Sequence, residues 1–179
     1  MLTKNINFKN FKITQPNKKV SVILKKLLKE DNEILNSLNR NYKNSYTKKT
    51  LSKFKNFSEI ILIGMGGSIL GSRSIYSFLK NKIKKNFYFL DNLEKFFSFS
   101  KNKKKQINLI ISKSGNTLET IVNSNLLINN KRKNIFITEN KNSYLMNLAK
   151  KLKSEIIHHN NYIGGRYSVL SEVGILPAD

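Results

Sequence analysis

Apolar residues follow two different rhythms along this chain. From Val20 to Leu38, the residues Val20, Ile23, Leu24, Leu27, Leu28, Ile34, Leu35 and Leu38 recur every three or four positions. That is the spacing of one helix face, and it predicts one amphipathic helix or two, with a break near Asp31 and Asn32. Residues 1–16 read as an irregular arm ending at Pro16. Residues 39–56 are polar and Lys-rich, a connector with room for further helix.

From Glu59 onward the rhythm changes to short, continuous apolar runs. Such runs are expected of strands buried on both faces of a parallel sheet. They predict strands near 60–63, 87–90, 108–111, 134–138 and 155–158. Helical spacing fills the intervals at 69–78, 117–129 and 143–152, with a short helix near 93–97. Regular strand–helix alternation argues for an α/β domain with a mainly parallel sheet and helices on both faces. Right-handed crossovers then bring the strand carboxyl ends to one edge. No internal repeat is visible.

Composition narrows the class. The chain has 179 residues and an apolar fraction of 39%, enough for one domain with a real core. No apolar run approaches the roughly 20 residues that span a bilayer, and residues 1–15 lack the continuous apolar stretch of a secretory signal. A cytoplasmic protein without membrane association is expected. With no cysteine, disulfides and thiolate chemistry are excluded. The 33 basic residues far outnumber the 11 acidic ones. The excess is nearly all Lys, spread evenly and rising together with Asn and Ile, the mark of an AT-rich coding bias on solvated positions. Arg is the preferred residue for bidentate phosphate and base recognition, so nucleic-acid binding is not expected. The field still favours anionic substrates.

Glycine is used sparingly and only in three places. Gly64-Met65-Gly66-Gly67-Ser68-Ile69-Leu70-Gly71 follows the first predicted strand. It lacks the glycine that a dinucleotide fingerprint needs at Ile69, and it lacks the Lys-Ser/Thr ending of a P-loop. A plain strand-to-helix turn capped by Ser68 is the competing reading. Ser112-Lys113-Ser114-Gly115-Asn116-Thr117-Leu118-Glu119-Thr120 follows the third strand. Four hydroxyls and an amide at a helix start suit an anion cradle, aided by Lys113. Simple capping by Asn116 or Thr117, with Glu119 in the first turn, would need only one of them. Gly164-Gly165-Arg166-Tyr167-Ser168 sets one of only four arginines behind a double glycine. There the backbone can approach a ligand while the guanidinium points into a site.

In this order and spacing the three segments resemble the glucose-6-phosphate isomerase (phosphoglucose isomerase) family over residues 55–179. The third segment, continuing Val169-Leu170-Ser171-Glu172-Val173-Gly174, is the most specific. The second is shared more widely among sugar-isomerase (SIS) domains. The resemblance implies a SIS-type, flavodoxin-like three-layer α/β/α domain with a five-stranded mainly parallel sheet, preceded by N-terminal helices. It divides the chain into an arm with helices, 1–54, and a first SIS subdomain, 55–179, ending before a second. It implies that Ser112, Ser114 and Thr117, with the Lys113 backbone, hold a sugar phosphate. Gly66, Gly67 and Ser68 would line the sugar, and Arg166 would face the reacting carbons. The family's chemistry opens the sugar ring and passes a proton between carbons 2 and 1 through a cis-enediolate. It calls for no cofactor and no metal. A homodimer is expected of the full-length form.

Departures from the pattern bear on activity. Ser72 stands where the family commonly has Pro. The Ser-Gly-Asn-Thr of the second segment leans toward bifunctional phosphoglucose/phosphomannose isomerases. The family's base glutamate, ring-opening histidine and C-terminal lysine match nothing here, so the chain is expected to carry the phosphate-binding half and to be inactive alone. Glu119 is not the favoured base, and His158 and His159 read as ordinary strand-edge residues. The rival reading is a stand-alone SIS module that senses a sugar phosphate. Such a module would have no use for Gly164-Gly165-Arg166.

Overall fold

The computed structural model describes residues 17–39, 41–93, 105–128 and 132–179. Helix α1 (Lys18–Leu27) and the single turn α2 (Glu33–Asn36) flank the break expected near Asp31. Asn17 and Asn32 start them, their side chains accepting from Val20 and Ile34 amides. After α3 (Lys48–Ser52) come β1 (Glu59–Ile63), α4 (Gly67–Leu79) and β2 (Asn86–Leu90). Then follow β3 (Gln106–Ile111), α5 (Leu118–Leu127), β4 (Lys133–Thr138), α6 (Tyr144–Lys151), β5 (Glu155–His158) and α7 (Glu172–Ala178). All five expected strands form. The short helix expected at 93–97 falls on residues outside those described.

The five strands make one sheet in the order β2-β1-β3-β4-β5, and every pairing is parallel. The expected flavodoxin-like architecture is therefore present, with a sheet that is wholly parallel among the described residues. Alternation along each strand sends side chains to two cores. Leu62, Ile107, Leu109, Ile111, Ile135, Ile137 and Ile157 face α4 and α7, meeting Ile69, Val173 and Leu176. Ile61, Ile63, Ile110 and Phe136 face α5 and α6, meeting Leu127, Leu145 and Ala149. Leu51, Phe54 and Phe57 extend the first core beyond α3.

The sheet also buries polar groups in β3. Asn108 donates from Nδ2 to Asn134 Oδ1 of the neighbouring strand at 2.8 Å, and Gln106 donates from Nε2 to Glu59 Oε2 at 2.7 Å. These bonds run between register partners and fix strand alignment where apolar contact alone would tolerate a slip.

Helix α1 is different. None of its residues is buried, and Val20, Ile23, Leu24 and Leu27 all face outward. The substitution Leu24→Ser should therefore change stability by no more than about 0.5 kcal/mol, since Leu24 is already 51% exposed. Ile110→Ala in the fully buried central strand should cost about 2–5 kcal/mol. Urea unfolding of the two variants gives the comparison directly.

Candidate functional site

The connection leaving β1 leads to β2 on one side of the sheet, while β3 lies on the other. Between the carboxyl ends of β1 and β3 the crossovers diverge and leave a crevice, the usual ligand position in such sheets. Gly64–Ser68 follows β1 and Ser112–Thr117 follows β3, so both glycine segments border that crevice.

The second segment forms a compact knot of hydroxyls. Ser112 Oγ lies 3.0 Å from Thr117 Oγ1, and Ser114 Oγ lies 3.5 Å from the same oxygen. Ser112 Oγ also accepts the Gly115 amide at 3.2 Å, and Ser114 Oγ accepts the Asn116 amide at 3.2 Å. Thr117 is the N-cap residue of α5, yet its side chain makes no capping bond. Its hydroxyl turns back to the two serines, so capping alone does not account for this constellation.

Gly115 is required by geometry. Its φ is +69°, and a Cβ there would run into the Ser143 side chain. Close seating lets the loop take over the start of α6. The Gly115 carbonyl accepts from Leu145 N at 3.0 Å, Asn116 Oδ1 accepts from Tyr144 N at 2.9 Å, and Ser143 Oγ accepts from Met146 N at 3.3 Å. Asn116 thus serves α6 rather than its own helix.

Lys113 does not add its charge to the hydroxyls. Its Nζ donates to the Asn161 carbonyl at 2.7 Å and lies 3.4 Å from Glu139 Oε1, while Lys141 holds the other Glu139 oxygen at 2.6 Å. Burial pushes the Glu139 carboxyl up, but the bonds and charges of the two lysines outweigh it and hold the group below its usual range. The Lys113 side chain braces the loop against the turn after β5.

The first and third segments are joined. Gly67 opens α4 and sits so close to the Gly165 carbonyl that any Cβ would collide with it. Buried Ser168 donates to the Gly165 carbonyl at 2.6 Å and reaches the Gly67 carbonyl at 3.3 Å. Ser72, at the departure noted above, donates to the Val173 carbonyl at 2.9 Å. Gly66 is the N-cap of α4 and Ser68 its second residue, so Ser68 does not cap the helix. Arg166 lies in the 3-10 turn Gly165–Leu170, beside Gly67. It is exposed and forms no ion pair with a described carboxylate.

One buried cluster was not legible in the sequence. Glu172, at the start of α7, accepts from Tyr42 Oη at 2.8 Å and from Ser45 N and Oγ at 3.0 Å each. His159 stands 3.6 Å away, buried, whereas His158 is exposed. Only His158 behaves as an ordinary strand-edge residue. No helical period or motif links residues 42 and 172, and the 130-residue separation hides the pairing. Burial alone would raise the Glu172 carboxyl. The contact with His159 and the bonds from Tyr42 and Ser45 outweigh it, so the group is pulled down to about 2. No described group of His, Asp and Glu is arranged to hold a metal. A cavity of about 340 Å³ lies away from the crevice, lined by Leu51, Phe54, Phe87, Ile107 and Leu176 near the amino ends of the strands.

Residues 12–179 match the family model of phosphoglucose isomerase. The glucose-6-phosphate isomerase of Methanocaldococcus jannaschii is 38% identical over 143 residues, covering 72% of this chain and 35% of the relative. That of Borreliella afzelii is 38% identical over 140 residues, covering 68% and 26%. The chain thus spans about a quarter to a third of these relatives' length. Among solved structures, a hypothetical protein of Thermus thermophilus aligns over 89% of this chain and 44% of its own, with a TM-score of 0.61 at 22% identity. The tagatose-6-phosphate ketose/aldose isomerase of Escherichia coli aligns over 73% and 40%, with a TM-score of 0.53 at 16% identity. The two structures share the fold with this chain.

Glu172 generates a pH prediction. Its carboxyl titrates lower in the folded chain than the ordinary 4.5. Its contribution to stability is therefore complete above that ordinary value and is lost as pH falls toward about 2. Thermal melts should show Glu172→Gln less stable than the parent at neutral pH but with a shallower loss on acidification. An unchanged acid slope would assign that loss to other groups.

Proposed function

The chain belongs to the phosphoglucose isomerase family, and on that footing we propose that its crevice binds the phosphate of glucose 6-phosphate and fructose 6-phosphate for aldose–ketose isomerisation. The observation that carries the reading is the convergence of Ser112, Ser114 and Thr117 on one point, with the Thr117 hydroxyl released from capping. Three hydroxyls at the start of α5 give a phosphate dianion neutral donors, and the helix dipole adds to them. Lys113 contributes its backbone, since its ammonium is bound to Glu139 and Asn161.

With the phosphate at β3, the sugar extends toward the neighbouring loop of β1. Gly66, Gly67 and Ser68 line it there, and Arg166 stands beside Gly67. In the reaction a base removes the proton from carbon 2 and returns it to carbon 1 through a cis-enediolate. Arg166 meets the charge that develops on the enediolate oxygens, an interaction realised mainly in the transition state. A guanidinium stays protonated, so it does not compete for the migrating proton.

The base belongs to none of the carboxylates placed around the crevice. Glu139 is held by two lysines, Glu172 is buried behind the Arg166 turn, and Glu119 sits in the first turn of α5, where it favours the helix dipole. We assign the base and the ring-opening acid to residues other than these three, and we propose a two-fold partner and a cytoplasmic setting. No described helix is long and apolar enough to cross a membrane. The fusion of the Arg166 turn to Gly67 favours an isomerase over a sensor, which needs only the phosphate loop.

Calorimetric titration with glucose 6-phosphate tests the site. A hydrogen bond to a charged group is worth about 1.5–3 kcal/mol, so Thr117→Val should weaken binding by roughly 10- to 100-fold. Unchanged affinity would remove Thr117 from the cradle. In a coupled isomerase assay the chain alone should show no useful turnover. Robust turnover abolished by Glu119→Gln would place the base in α5 instead.

A further inference from the structure

Two buried ionisable side chains lie outside the crevice and have no part in the reading above. Glu172 is 0% exposed and His159 is 3% exposed. His159 Nε2 is 3.1 Å from the Ile163 carbonyl oxygen. A carbonyl only accepts, so Nε2 carries a hydrogen. Nδ1 faces Glu172 Oε2 at 3.6 Å, and neither atom has a hydrogen-bond partner among the described residues. In a neutral imidazole, the Nδ1 lone pair would confront a carboxylate oxygen in a site closed to water. One proton removes that conflict. The other Glu172 oxygen accepts three donors, from Tyr42 and Ser45. These favour the ionised carboxyl, so the proton belongs on Nδ1.

The place of this pair in the chain gives the proton a task. His159 holds the carbonyl of Ile163, directly ahead of Gly164, Gly165 and Arg166. Glu172 follows the turn Gly165–Leu170 and opens α7. The pair therefore spans both ends of the segment that bears Arg166. We infer that protonated His159 and ionised Glu172 form a clip across residues 163–172 that positions Arg166. The inference rests on the reading of Arg166 as a substrate-facing residue. Other titratable groups around the clip are Tyr42 and Tyr46 on the segment before α3, Tyr162 in the turn after β5, and Asp179 bonded to Tyr46. Burial pushes the hydroxyls of Tyr42 and Tyr46 up, so both stay protonated and keep donating, Tyr42 to Glu172 and Tyr46 to Asp179.

The test uses the unaltered chain, uniformly labelled with 15N, followed by NMR at neutral pH. The variant His158→Gln assigns the ring signals to the two histidines. Both ring nitrogens of His159 should carry hydrogen. In Glu172→Gln, which removes the charge and keeps the shape, the hydrogen on His159 Nδ1 should be lost and the Gly165 and Arg166 amide resonances should shift. Glucose 6-phosphate affinity should fall roughly tenfold in that variant, the size of one lost charge-assisted hydrogen bond. Inorganic phosphate affinity should stay level, since it depends on residues 112–117. A bare Nδ1 in the unaltered chain overturns the clip, and so do Gly165 and Arg166 resonances that ignore Glu172→Gln. If Arg166→Ala leaves glucose 6-phosphate affinity unchanged, the substrate role of Arg166 fails, and the resonances still judge the clip.

Discussion

The carboxyl ends of β1 and β3 lie side by side, while the chain leaving each strand is drawn to opposite flanks of the sheet. The rest of the cleft depends on that divergence. It sets the amino ends of α4 and α5 on either side of one opening, so the loops of β1 and β3 both border it. Neither loop would hold its shape alone. The loop of β3 is seated on α6 through Gly115 and Asn116, and the loop of β1 is pressed against the turn at Gly165. Each is set by an element that arrives later in the chain.

This dependence explains why small residues and hydroxyls collect there. At Gly67 and Gly165 the backbones touch, and a side chain on Gly67 would force them apart. Ser168 then gives its one hydrogen to the Gly165 carbonyl while standing 3.3 Å from that of Gly67, and Ser72 ties α4 to α7. Packing and polar satisfaction thus point to one arrangement, as expected where several levels of structure agree.

The strands were legible because each centres on a short apolar run, wholly buried in β3 and partly covered in the edge strands β2 and β5. The hydroxyl cluster was legible because four such side chains exceed what one helix start requires. Other features depend on long-range contact and left no local trace. Lys113 looks like a phosphate ligand until Glu139 and Asn161 are seen beside it. Ser68 looks like a cap until the helix is found to begin at Gly67. Glu172 reads as one more charged residue in a helix start, and only the fold brings Tyr42, Ser45 and His159 around it. Periodicity marks the apolar stripe of α1 as helical, but it reports a face and not what the face meets. Here it meets solvent.

The pairing of β1 with β3 also has a kinetic consequence. Its register joins residues 47 apart, as in the Glu59–Gln106 hydrogen bond. The whole of α4 and β2 lies between them. Loop closure of that length must precede the central contact of the sheet, and parallel pairings offer no hairpin to shorten it. The chain should therefore fold slowly for its size. During synthesis, α4 and β2 reach β1 first, yet its other edge stays unpaired until β3 arrives, and that interval is when the nascent chain is most exposed to aggregation.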